Sequence, residues 1–130
     1  MSENFTIEIV SPSKLILKSE VTEVTIPSYE GQMGILKDHI PLITFLRPGI
    51  IDISKNSENK FFFVEEGTVE FMNNNLLILS STIKRLKDLD KNSIDLLIKN
   101  SEKQMSNDEI SDKEKYLLAY KIDTLREINQ

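Results

Sequence analysis

The chain contains no cysteine. Disulfides, thiolate zinc sites and cysteine nucleophiles are excluded with it. Histidine occurs once, as His39. A metal site built on it would need carboxylate co-ligands, and the adjacent Asp38 faces the other way in an extended segment. No G-x-S-x-G elbow supports a serine nucleophile, and no G-x-x-x-x-G-K-[ST] loop supports phosphate binding. Basic runs are missing and the net charge is -5, which argues against nucleic acid or an anionic membrane surface as partner. No apolar stretch approaches the roughly 18 residues of a membrane span. The first residues, MSENFTIEIV, lack the basic start and apolar core of a secretory signal and the Arg-rich look of a transit peptide. A length of 130 residues predicts one domain, or one domain with an appendage.

Glycine and proline are also missing from everything after Gly67, and that divides the chain. The first part, through Leu79, has the pattern of strands. Phe5, Ile7 and Ile9 alternate with Thr6 and Glu8, and Val24 and Ile26 with Glu23 and Thr25, a run that Pro27 should end. Ile51 and Ile53 flank Asp52. Phe61–Val64 is apolar at every position and should be buried on both faces. Thr68–Met72 alternates again, and Asn73-Asn74-Asn75 signals a turn before Leu76–Leu79. Short strands with turns every eight to twelve residues predict an all-β sandwich or barrel.

After Arg85 the pattern is helical. Asp90 is placed to cap a helix carrying Ile94, Leu97 and Ile98 on one face. Ser106-Asn107-Asp108 breaks it. Ser111 and Glu114 form a capping box for a second helix with Leu118, Ile122, Leu125 and Ile128 along one stripe. The expected architecture is a β-sandwich over residues 1–86 followed by an α-helical hairpin over 87–130, two segregated parts. Helices of this length are marginal alone and need each other or a partner.

The densest stretch is Glu30–Gly49, EGQMGILKDHIPLITFLRPG, which holds three of the four glycines, two of the four prolines and the only histidine. Gly31 and Gly34 are expected at positive-φ turns or close backbone approaches. Ile35, Leu36, Leu42 and Ile43 are expected in the core. Glu65 and Glu66 are adjacent, so a strand points them to opposite faces and they make no acid/base pair. The Phe61–Phe63 run fits a core better than a stacking platform, because no basic residues surround it. A rival reading from another class is a small β-sandwich enzyme or carbohydrate-binding module. It requires Glu30, His39 and Glu65 to converge on one pocket.

The ordered motifs carry a resemblance. Glu30-Gly31-Gln32-Met33-Gly34-Ile35-Leu36, then His39-Ile40-Pro41-Leu42-Ile43-Thr44, then Arg47-Pro48-Gly49, closely resemble the epsilon subunit of the proton-translocating F-type ATP synthase of bacteria. Val10-Ser11-Pro12, Val24–Pro27, Glu66–Phe71, Leu77–Leu79 and Asp88-Leu89-Asp90 fit the same family at matching spacing. The resemblance implies a β-sandwich with a helical hairpin and a non-catalytic rotor subunit of the central stalk. It implies the gamma subunit and the c-ring as partners, with the alpha/beta catalytic head as a third, and a peripheral place on the cytoplasmic face of the inner membrane. By position, Ser11, His39, Pro41, Leu42 and Thr44 would face gamma. Glu30, Gln32 and Met33 would look toward the c-ring, where Gln32 replaces the acid many relatives carry. Lys113, Lys115, Lys121 and Arg126 would be the basic residues of a hairpin that regulates ATP hydrolysis. No cofactor or metal is expected. Leu89-Asp90 is followed by Lys91-Asn92-Ser93-Ile94, without the arginine and alanine of the nucleotide-binding motif of some relatives.

Overall fold

A computed structural model of the chain describes residues 3–129. Met1, Ser2 and Gln130 lie outside the described residues. Ten strands come first: β1 (Phe5–Val10), β2 (Leu15–Val21), β3 (Glu23–Ser28), β4 (Gly31–Leu36), β5 (Leu42–Leu46), β6 (Gly49–Lys55), β7 (Glu58–Val64), β8 (Gly67–Met72), β9 (Asn75–Leu79) and β10 (Lys84–Arg85). A 3-10 turn, Leu86–Asp88, leads to α1 (Lys91–Met105) and α2 (Asp112–Ile128). The β-sandwich followed by a separate helical hairpin agrees with the sequence expectation.

The strands hydrogen-bond in the order β10-β7-β6-β3-β5-β8-β9-β1-β2, with β4 on the free side of β3. Only Ser28↔Leu46 joins β3 to β5, so the sheet folds over at that point into two layers. All pairs are antiparallel except β1 with β9. The inward residues are those the alternation predicts: Phe5, Ile7 and Ile9, Val24 and Ile26, Ile51 and Ile53, Val69 and Phe71, Leu76 and Ile78. Burying each such side chain stabilises the fold by about 1.5–3 kcal/mol before entropy is counted.

Turn chemistry closes the hairpins. Asn73 and Asn74 have φ of 52° and 58°, and Asn56 and Ser57 have 49° and 67°, the paired positive values that a two-residue hairpin turn requires. Gly31 has φ 121°, as its turn position predicts. Gly34 departs from expectation. Its φ is not positive, and an added Cβ would meet only Glu23 Oε2 at 3.8 Å. Close approach falls instead on Gly49, where a Cβ would lie 2.5 Å from Cβ of Pro27.

Pro27 does not end its strand. It lies within β3, paired with Gln32 of β4. Its carbonyl accepts from Arg47 N at 3.0 Å, on the side away from β4. The β6 ladder has already stopped at Thr25 on that side, so the missing N–H deprives no acceptor. Three core assignments also change. Leu36 and Ile43 are exposed, because the inward register positions are those of Ile35, Thr44 and Leu46. Phe61 is exposed as well, while Phe62 fills the core and Phe63 is covered by the hairpin.

Both helices begin as the sequence predicts. Asp90 accepts from Ser93 N at 2.7 Å, and that amide holds its carboxyl below the usual carboxylate range. Ser111 and Glu114 form the reciprocal capping box. Ile94 and Leu125 close over Phe63, flanked by Ile50, Leu86, Leu97, Ile98 and Ile128. This seam seats the hairpin on the outer face of β6 and β7.

Candidate functional site

The two layers differ in what covers their outer faces. The hairpin covers β6 and β7. Across the other layer, β5-β8-β9-β1-β2, register defines rows of outward side chains. One row runs Phe45, Thr68, Leu79, Val10, Leu15. The next runs Ile43, Glu70, Leu77, Glu8, Lys18. Ile43 is 74% exposed, Phe45 56%, Leu15 54%, Met72 48% and Leu79 44%. Five large apolar side chains thus share one open sheet face. At its upper end the face runs into a cleft of about 710 Å³ lined by Val10, Ser11, Tyr29, Phe45, Leu79 and, from α2, Lys113.

The positions assigned to gamma border this face but do not form its centre. Ser11 follows β1 at the cleft, its hydroxyl 3.2 Å from the Lys14 carbonyl. His39 packs edge-on to Phe71, with ring centroids 6.0 Å apart, and its Nδ1 lies 2.8 Å from the Ile40 carbonyl. Beside it, Asp38 and Asn74 bond reciprocally and fix the β4–β5 loop against the β8–β9 turn. Pro41 is exposed and Leu42 half-buried. Thr44 is a correction: it is 5% exposed and points inward opposite Val69, because its strand neighbours Ile43 and Phe45 take the outward positions.

The turn assigned to the c-ring splits similarly. Glu30 and Gln32 are exposed on the β3–β4 turn and the outer edge strand β4. Met33 packs against the core opposite Ile26, so its side chain is only partly exposed. On the hairpin, Lys113 and Lys115 are exposed. Lys121 is bound 2.9 Å from Glu65 at the end of β7, and Arg126 pairs with Glu102 of α1. These two cations are therefore engaged within the folded chain. A further tie was not foreseen. Arg47, just after β5, lies 4.0 Å over the Tyr120 ring and donates to Tyr116 Oη at 3.3 Å. That hydrogen bond lowers the Tyr116 phenol from its ordinary value.

The rival reading fails on geometry. Glu30 and His39 sit beyond opposite ends of β4, a strand of six residues, which spans about 20 Å. Glu65 is occupied by Lys121. Among the described residues no group of three or more His, Asp or Glu side chains is placed to hold a metal ion. No helix among them is long and apolar enough to cross a membrane.

The apolar face was legible only in part. Leu42–Leu46 and Leu76–Leu79 are apolar at both parities, and such strands are either covered on both sides or leave one sticky side open. The letters do not say which.

The fold is a β-sandwich carrying a helical hairpin, with one sheet face under the hairpin and the other open and rich in exposed apolar side chains. The profile of the "ATP synthase, Delta/Epsilon chain, beta-sandwich domain" family matches residues 4–86. The ATP synthase epsilon chain of Pelagibacter ubique is 52% identical over 130 residues, covering 99% of this chain and 100% of its own. That of Parvibaculum lavamentivorans is 33% identical over 129 residues, covering 98% and 97%. A chain in the cryo-EM structure of the Euglena gracilis mitochondrial ATP synthase, OSCP/F1/c-ring in rotational state 1, superposes with a TM-score of 0.84 at 18% identity, covering 100% of this chain and 84% of that one. At that identity the likeness is one of fold. The chain belongs to the ATP synthase epsilon chain family. By that membership it is an accessory subunit of the complex.

Proposed function

We propose that the chain works in the central stalk, tying gamma to the c-ring, and that the open apolar face is where gamma docks. One observation carries this: Ile43, Phe45, Leu79, Met72 and Leu15 lie together on a sheet face that nothing in the chain covers. Contiguous exposed apolar surface of this kind marks a protein contact. Ser11, His39 and Pro41 form the rim of that contact, whereas Leu42, like Thr44, packs inward and is not part of it. The Glu30–Gln32 turn, beside the cleft end of the same face, meets the c-ring, with Glu30 supplying the charge that Gln32 lacks. The chain then sits peripherally at the cytoplasmic face of the membrane through its partners. The sandwich, residues 1–86, is the docking domain, and residues 87–130 form a regulatory appendage. Lys121 reaches the catalytic head only when the hairpin leaves the sandwich, because Glu65 holds it in this pose, and Arg126 is freed only when α1 and α2 part, because it pairs with Glu102 of α1.

The test is equilibrium binding of the full chain to purified gamma. Ile43→Asp and Phe45→Asp each put a charge into the contact, and each is expected to weaken binding by at least about a hundredfold, as loss of a central anchor does. Both positions are exposed, so the fold should survive, as checked by thermal melting. Wild-type affinity in both variants would refute the assignment of this face.

A further inference from the structure

Glu70 stands alone inside the open face. It lies on β8 between Ile43 of β5 and Leu77 of β9. Along β8 its outward neighbours are Thr68 and Met72. The next acid in the same row is Glu8, on the far side of Leu77, and opposite Glu8 stands Lys18 on β2. No cation stands opposite Glu70. It forms no ion pair and no side-chain hydrogen bond among the described residues. In water an exposed carboxylate needs none.

Docking changes that balance. A surface that covers Ile43, Phe45, Leu77 and Met72 also strips the water from Glu70. A carboxylate desolvated without a counter-charge opposes binding heavily. An apolar partner surface is thereby rejected, and so is an acidic one.

We propose that Glu70 sets the chemistry of the docking partner: the surface that binds here inserts an arginine into the apolar contact and closes a two-pronged pair on the Glu70 carboxylate. Arginine fits better than lysine for two reasons. Its planar fork matches both carboxylate oxygens, and its guanidinium is less strongly hydrated than an ammonium. Its aliphatic stem also packs along Ile43 and Leu77 while the head reaches the acid. Glu70 thus acts as a specificity determinant within a contact whose affinity comes mainly from its apolar neighbours. The inference rests on the reading of this face as the gamma-docking surface.

The test uses the full chain and purified gamma, with Glu70→Gln, Glu70→Lys and Glu70→Asp beside Ile43→Asp. Glu70→Gln is expected to weaken binding at least about tenfold and Glu70→Lys at least about a hundredfold, mostly through faster dissociation. Glu70→Asp should retain part of the affinity. One arginine-to-glutamate change among the arginines of gamma should restore binding of Glu70→Lys and of no other variant. Binding of Glu70→Gln at or above wild-type strength, with Ile43→Asp defective, would overturn the charge inference and leave the docking face standing. Full binding by Glu70→Lys and Ile43→Asp together would overturn the docking reading itself. Failure of every partner arginine to rescue Glu70→Lys would overturn the paired-arginine form of the proposal.

Discussion

At the scale of single residues, identical letters do different work. Gly31 supplies a positive φ at the β3–β4 turn. Gly49 supplies the missing side chain that lets β6 begin against Pro27, whose Cβ would otherwise lie 2.5 Å from an added one. Gly34 supplies neither, with only a flexible carboxylate 3.8 Å away. Gly49→Ala should therefore destabilise the sandwich by about 1–3 kcal/mol, the usual effect of forcing atoms into a packed site. Gly34→Ala should leave the melting temperature nearly unchanged. Equal melting of the two variants in a calorimeter would show that the Pro27 contact yields easily. The capping residues, by contrast, were readable directly. Asp90 and Ser111 each precede a helical stripe, and each accepts from the amide three residues on, because capping depends only on local sequence.

The elements show where periodicity is informative and where it is not. Alternation placed Phe5, Ile7 and Ile9 inward without ambiguity. Strands apolar at both parities left the question open. In β7 the hairpin settled it by covering Phe63 and leaving Phe61 exposed. In β5 nothing covers Ile43 and Phe45, and that became the candidate site. The hairpin itself is held by a narrow apolar seam centred on Leu125, Ile94 and Phe63. The Arg47–Tyr120 and Lys121–Glu65 contacts add polar ties at its edge. Leu125→Ala should weaken hairpin docking by about 2–5 kcal/mol, the range for emptying a buried leucine site. Amides of α1 and α2 should then exchange faster while those of β1, β8 and β9 keep their protection. A uniform rise across all elements would mean that hairpin and sandwich open as one unit.

For the whole molecule the question is how far the two parts depend on each other. Every fully buried residue of the sandwich core lies at or before Ile78, and the last strand ends at Arg85. A chain truncated after Arg85 should keep a cooperative thermal transition and its affinity for gamma. It should also self-associate more readily, since Phe63 and Ile50 lose their cover. Loss of the cooperative transition would show that the hairpin completes the core. The sequence by itself determined the turns at Gly31 and Asn73-Asn74, the helix caps, the alternating strands and the passage from strands to helices after Arg85, because each follows from local backbone preferences and side-chain period. It also carried the ordered motifs by which the family was recognised. Only the tertiary structure decided which apolar faces are covered. That is why Thr44 and Met33 turned inward, why Ile43 and Phe45 came to the surface, and why Lys121 was found tied to Glu65. Coverage depends on which distant segment lies across a strand, and no local pattern records that.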